Sequence, residues 1–194
     1  MVLSRSFFDR DPISVARELL GKKIVRELNG ELLSGMISET EAYTGADDTA
    51  CHAAKGKTER NAVMFGPPGH AYVYFIYGMY SMLNLVTESE NPSAILIRGL
   101  APLDGIETMK RLRGRDTGLT DGPGKLCMAL SIDRGLNGID VTRKRELWVE
   151  AYREIPDERI AATPRIGIDY AEPEDRDAPY RFLLTEDAGL RHNI

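Results

Sequence analysis

The stretch KKIVRELNGELLSGMISETEAYTG, residues 22–45, reads as two β-strands joined at Asn29-Gly30, a dipeptide that readily supplies the two left-handed residues of a tight hairpin turn. Just upstream, DRDPISVARELLGKK offers Asp11 as a cap and Pro12 at the first helical position, with Ile13, Ala16, Leu19 and Leu20 on one face before Gly21. That pattern predicts a helix over residues 12–20. Downstream, residues 44–69 are polar and rich in small side chains and close with Gly66-Pro67-Pro68-Gly69; they read as a long surface loop, a kind of segment that usually carries function. HAYVYFIYGMYSMLNLVT (70–87) reads as a strand bent at Gly78, and SAILIRGL (93–100) as a second, central strand. LDGIETMKRLRGR predicts a short basic helix and DGPGKLCMAL another, entered through Gly122-Pro123-Gly124. ELWVEAY, RIGIDY and PYRFLL read as short strands between acidic loops. Hairpin-like spacings outnumber strand–helix–strand units, which predicts a mixed α/β (α+β) fold: a single compact domain, residues 1–194, around a curved, largely antiparallel sheet with short helices.

Composition narrows the function classes. With 42% hydrophobic and 28% charged residues the chain is that of an ordinary globular protein, not a disordered or collagen-like one. No apolar run reaches the roughly 18 residues of a membrane helix, and MVLSRSFFDRDP lacks the apolar core of a secretory signal, so a cytoplasmic protein without a membrane partner is expected. Two cysteines, Cys51 and Cys127, are too few for a disulfide framework or a four-cysteine zinc site. The net charge of −5 has the wrong sign for a protein that coats itself with phosphate. Its distribution is uneven, however: residues 51–145 carry 13 basic against 9 acidic side chains, whereas both flanking segments are acidic. One positive face toward an anionic partner and charge scattered for solubility are both compatible with this.

Several features bear on chemistry. Tyr72, Tyr74, Tyr77 and Tyr80 crowd into nine residues. In an extended strand Tyr72 and Tyr74 share a face and Tyr77 falls on the other, so the group is either ordinary strand packing or a stacking surface for flat ligands such as nucleobases. Glu39, Glu41 and Tyr43 alternate along a strand and point to one side if extended; two carboxylates beside an aromatic can hold a metal, act in hydrolysis, or simply solvate the sheet. His52 follows Cys51, but neighbouring residues point apart and no further Cys or His lies near, so no metal site is expected. Arg98 interrupts the apolar run Ala94-Ile95-Leu96-Ile97 and must be paired, with a carboxylate or with a ligand's charge. Lys55, Lys57, Arg60 and Lys125, with Lys110, Arg111 and Arg113, are candidates for phosphate contacts or for a solvated face.

Taken together, ETEAY (39–43), TACHAAKGKTERN (49–61), MFGPPGHAYVYFIYGMYSMLN (64–84), ILIRGLAPLDGIETMKRLR (95–113) and GPGKLCMAL (122–130) strongly resemble the alkyladenine (3-methyladenine/methylpurine) DNA glycosylases, in order and from about residue 13 to residue 184. The resemblance implies a monofunctional hydrolase without metal or cofactor that removes alkylated or deaminated purines from double-stranded DNA. It implies Glu41 as the general base that activates water and Arg98 as a residue that helps hold that water. Tyr43 would stack on one face of the flipped purine, and His52 and Tyr74 would enclose the other. Tyr77 would be the wedge inserted where the base had been, Asn84 would guard the pocket against guanine, and a main-chain carbonyl in RIGI, that of Ile168, would be the water's other partner. Lys55, Lys57, Arg60 and Lys125 are then the expected DNA-backbone contacts. The chain lacks the long N-terminal extension of the vertebrate branch, which leads to the expectation of a bacterial-type, nucleoid-associated monomer. None of the mapped pocket positions is a lysine, so no amine nucleophile is expected and an intact abasic site should remain. Two other readings stay open: a module that binds damaged bases without cutting, and a nucleosidase acting on free purine nucleosides.

Overall fold

The computed structural model describes residues 1–76 and 78–185. Two short helices open the chain, α1 (Arg5–Phe8) and α2 (Pro12–Leu19), followed by the strands β1 (Lys23–Leu28) and β2 (Glu31–Tyr43). After a long connection come β3 (Ala71–Ile76), β4 (Tyr80–Thr87) and β5 (Ser93–Asp104), then α3 (Ile106–Arg113) and α4 (Pro123–Ala129). β6 (Leu147–Glu150), β7 (Ile160–Thr163), α5 (Pro173–Arg176) and β8 (Arg181–Leu184) complete it. The strands form one antiparallel sheet in the order β3-β4-β5-β2-β1-β6, with β8 on β2 and β7 on β8. The mixed α/β fold with short helices around an antiparallel sheet is therefore as expected. Among the described residues no helix is long and apolar enough to cross a membrane.

The local signals explain most elements. Asp11 caps α2 by accepting the Ser14 amide hydrogen bond at 2.7 Å, and Pro12 opens the helix. Asn29 and Gly30 both take positive φ, 53° and 86°, the geometry that lets a two-residue turn follow the twist of β1 and β2. Three readings of the sequence need correction. Residues 70–87 are two strands, because the chain reverses between Ile76 and Tyr80 and pairs β3 with β4. RIGIDY is not a strand but a turn; Gly167 adopts a φ of 77° there, and the neighbouring strand is β7, at residues 160–163, whose small residues Ala161 and Ala162 carry little β signal. The loop over 44–69 holds two single-turn helices, His52–Lys55 and Ala62–Phe65.

Alternation sorts the sheet into two faces. Val73, Leu83, Leu85, Ile95 and Ile97 point to the face covered by α2 and α4 and join the main core. Their neighbours Tyr72, Tyr74, Met82, Asn84, Ala94, Leu96 and Arg98 line the opposite face. On β2 the alternation changes phase: Leu33 and Ile37 belong to the core, but so do Ala42 and the side of Thr40, whose hydroxyl donates to the Ala16 carbonyl at 2.9 Å. The register against β5 shifts between Ile37 and Glu39 and again between Glu39 and Thr40. This bulge moves Glu39, Glu41 and Tyr43 away from the core face to which unbroken alternation from Ile37 would have sent them. Gly99 sits opposite, where a Cβ would come within 3.1 Å of Ser38 Oγ and 3.3 Å of Glu39 Cβ.

Candidate functional site

A cleft of about 300 Å³ opens on the face opposite the main core, within the size range of small-molecule sites. The strand residues of that face form its floor; Tyr43, His52, Ile166, Ile168 and Tyr170 form its sides. Glu41 lies just outside this lining, with no exposed side-chain surface. One of its oxygens, Oε1, accepts from the Ile166 amide at 2.8 Å and lies 3.3 Å from an Arg98 nitrogen. The other, Oε2, accepts from the Tyr43 hydroxyl at 2.9 Å. A carboxylate oxygen has two acceptor sites, so Oε2 keeps one after Tyr43 is served.

The electrostatics follow from burial. Desolvation raises the Glu41 pKa above the usual carboxylate value, and Arg98, the Ile166 amide and Tyr43 pull against that rise. The Tyr43 phenol is pushed well up by burial and by the adjacent Glu41, which keeps it a donor. Burial works against the charge of Arg98, but Glu41 and Glu39 more than offset it. Arg98 is in turn oriented by Glu39, which accepts from its Nε at 2.9 Å and from Arg181 Nε at 2.6 Å. Two carboxylates and two guanidiniums thus alternate across β8, β2 and β5, and of the partners foreseen for Arg98 the carboxylate is the one found, from a position that also lines the cleft.

The aromatic side is equally ordered. His52 Nδ1 lies 2.9 Å from the Tyr72 hydroxyl, and its ring meets Tyr74 edge-to-face at 4.6 Å between centroids. Burial, with help from Arg60, lowers the His52 pKa to about 4, so the imidazole is neutral near pH 7. Arg60 lies over the Tyr74 ring at 5.1 Å. Asn84 is buried on β4 and its amide donates to the Tyr72 carbonyl at 3.1 Å, which fixes the side chain against the floor.

The structure therefore brings Glu41, Arg98, Tyr43, His52, Tyr74, Asn84 and Ile168 together around one cleft. Within the RIGI segment, the Ile168 carbonyl accepts from the Ala171 amide at 2.9 Å, which leaves it a second acceptor site, and the Ile166 amide donates to Glu41. Tyr77 lies outside the described residues. Lys55 and Lys57 are exposed on the segment that follows His52. Lys125 stands at the start of α4 and is paired with Asp121 at 3.0 Å. Reading the sequence missed Asp48, Arg165 and Tyr170. Asp48 looked like one more acid of a polar loop, and Arg165 was hidden in a segment taken for a strand; only the Pro164-Arg165-Ile166-Gly167 turn signal could have flagged it.

The family described as methylpurine-DNA glycosylase matches residues 6–188. A protein of Methanocella arvoryzae named "Putative 3-methyladenine DNA glycosylase" is 54% identical over 185 residues, 93% of this chain and 91% of the relative. Proteins of the same name are 49% identical over 187 residues in Carboxydothermus hydrogenoformans, covering 95% of both chains, and 47% identical over 199 residues in Clostridium perfringens, covering 96% of this chain and 97% of the relative. With nearly its whole length matched, the chain belongs to the methylpurine-DNA glycosylase family.

Proposed function

We propose that this base-excision-repair glycosylase takes alkylated or deaminated purines out of duplex DNA into the cleft and hydrolyses the N-glycosidic bond with a water activated by Glu41. The observation that carries the reading is the position of Glu41. A fully buried carboxylate with a free acceptor site on Oε2 stands directly behind an aromatic wall, held there by three donors from three parts of the chain. In the reaction the bond from C1′ to the purine nitrogen breaks and its electrons leave with the base. Water oxygen bonds to C1′, and its proton passes to Glu41. The sugar carries positive charge as the base departs, so the same carboxylate also stabilises the transition state. Arg98 holds Glu41 ionised and, at the cleft floor, can orient the water.

The flipped purine lies between Tyr43 on one side and His52 with Tyr74 on the other. Extrusion costs a few kcal/mol of unstacking, and aromatic contacts of about 1–3 kcal/mol per base offset it. A neutral His52 suits both cationic alkylated purines and neutral deaminated ones, since it repels neither. Asn84 stands against guanine, and Tyr77 fills the vacated stack. Lys55, Lys57, Arg60 and Lys125 hold the backbone, and the protein acts as a monomer in the cytoplasm. Among the described residues no lysine lines the cleft, which supports an abasic product without strand cleavage.

Incubation with a duplex carrying one hypoxanthine or one 1,N6-ethenoadenine, followed by alkali, tests the reading: strand breaks at the lesion are expected only after alkali, and borohydride should trap no adduct. Binding without breaks would favour a non-cutting module. Release of base from free nucleosides alone would favour a nucleosidase.

A further inference from the structure

Arg165 has no part in the chemistry above, yet its charge is enclosed beside the cleft as Glu41 is. Arg165 and Asp48 are both without exposed side-chain surface, and two guanidinium nitrogens meet the two carboxylate oxygens, the Nη2 contact at 2.9 Å. The same guanidinium donates to the Ala42 carbonyl at 2.9 Å and to the Asp175 carbonyl at 3.0 Å. It lies over the Tyr43 ring at 4.8 Å and over the Tyr180 ring at 5.4 Å. Its Nε is buried without an acceptor among the described residues. Burying two charges and leaving a donor unserved costs stability, and an apolar cluster of similar size is often at least as stable. The pair is thus better explained by what it orients than by what it adds to the fold.

What it orients is both sides of the slot. Asp48 accepts from the Thr44 and Ala50 amides at 3.0 Å each, and so sets the loop that runs into His52. Arg165 backs the ring of Tyr43 and grips the Ala42 carbonyl, while its neighbour Ile166 holds Glu41. We propose that Arg165, locked to Asp48, is a positioning residue that sets the gap between Tyr43 and the His52 wall, and with it the placement of a flipped purine over Glu41. The inference rests on Tyr43 being the stacking wall.

The test uses a duplex with one 1,N6-ethenoadenine, a fluorescent purine whose emission responds to stacking, and the variants Arg165→Lys and Asp48→Asn, with folding checked by cooperative melting. Lysine keeps the charge but lacks the planar fork that spans a carboxylate and stacks on a ring. A displacement near 1 Å costs on the order of 10²-fold in rate. The maximal single-turnover rate should therefore fall by about that factor and the emission change on binding should be lost, with affinity for undamaged duplex unchanged. A folded variant with wild-type rate and emission change overturns the inference. Should both variants fail to fold, Tyr180→Leu decides, because it leaves the ion pair intact, keeps an apolar side chain against the core and removes the ring behind the guanidinium: a smaller loss of both signals upholds the inference, and wild-type behaviour sinks it. Tyr43→Leu separates the two levels. Loss of the emission change there, with wild-type behaviour in Arg165→Lys, overturns the positioning role alone; an unaltered emission change in Tyr43→Leu removes the stacking reading itself, and the inference with it.

Discussion

Residues 31–37 and 39–43 are consecutive stretches of β2, yet the first sends Leu33 and Ile37 into the apolar core while the second buries Glu41. The first half lies between β1 and the far end of β5, and its burial removes apolar surface from water. The second lies between β5 and β8 and takes its partners from Arg98, Ile166 and Arg181. Burial in the first half stabilises; in the second it raises the Glu41 pKa against the fold's interest and is tolerated because Arg98, the Ile166 amide and the Tyr43 hydroxyl surround the charge. One strand, divided by a bulge, thus packs apolar side chains at one end and holds a buried carboxylate beside the cleft at the other.

The sharpest way to break that division is Glu41→Gln. Loss of a general base costs about 10²- to 10⁴-fold, so single-turnover excision should fall by that much, while lesion binding survives or tightens. Glu39→Gln is the comparison, since Glu39 touches Arg98 and Arg181 but is not hydrogen-bonded to Tyr43. Abolished excision in Glu39→Gln with activity kept in Glu41→Gln would move the base one register along the strand. In the other half, Ile37→Ala should cost about 2–5 kcal/mol in a denaturant melt and leave the excision rate per folded molecule unchanged. A rate loss there without a stability loss would dissolve the distinction between the halves.

Titration sharpens it further, because the two groups act in opposite directions. Glu41 binds its proton more tightly folded than unfolded, so its contribution to stability is present below the ordinary carboxylate pKa and is lost as pH rises through the raised value. His52, lowered to about 4, makes stability fall as pH drops from about 6.5 toward 4, since the unfolded chain takes up the proton first. Thermal melts of His52→Gln should lack that decline, and a decline equal to the wild type's would assign it elsewhere. Excision should show an acid limb above the ordinary carboxylate range, because Glu41 must be ionised to accept a proton. The smallest effects belong to the surface: each phosphate contact removed by Lys55→Gln, Lys57→Gln or Arg60→Gln should lower the slope of log affinity against log salt by about 0.9. Lys125→Gln should change it less, as Asp121 already holds that ammonium; an equal or larger change would place α4 nearer the DNA than the segment following His52.

Much of the fold was legible because its signals are local. The Asp11 cap, the Asn29-Gly30 turn and the apolar run of residues 94–97 need only near neighbours, and each formed where the sequence placed it. The hairpin within 70–87 was missed because aromatic and apolar residues continue through its turn, and the RIGIDY turn was missed because its alternation imitates a strand. The site was legible in its residue types through resemblance, and in its pairing only as a requirement: Arg98 on an apolar strand had to find an anion, without any indication that Glu39 and Glu41 would share it.

Chain composition and pattern determined by themselves that this would be a mixed α/β protein with an antiparallel sheet, since periodicity, caps and turns act within a few residues. Whether Glu41 would be a solvated surface group or a buried carboxylate was decided by tertiary structure alone. The phase change at the bulge turns it from the core, and Ile166, 125 residues away, and Arg98 supply the donors that let a carboxylate exist out of water. A side chain's chemistry depends on its local dielectric and on its partners, and both are set by contacts between segments that alternation and turn signals do not relate.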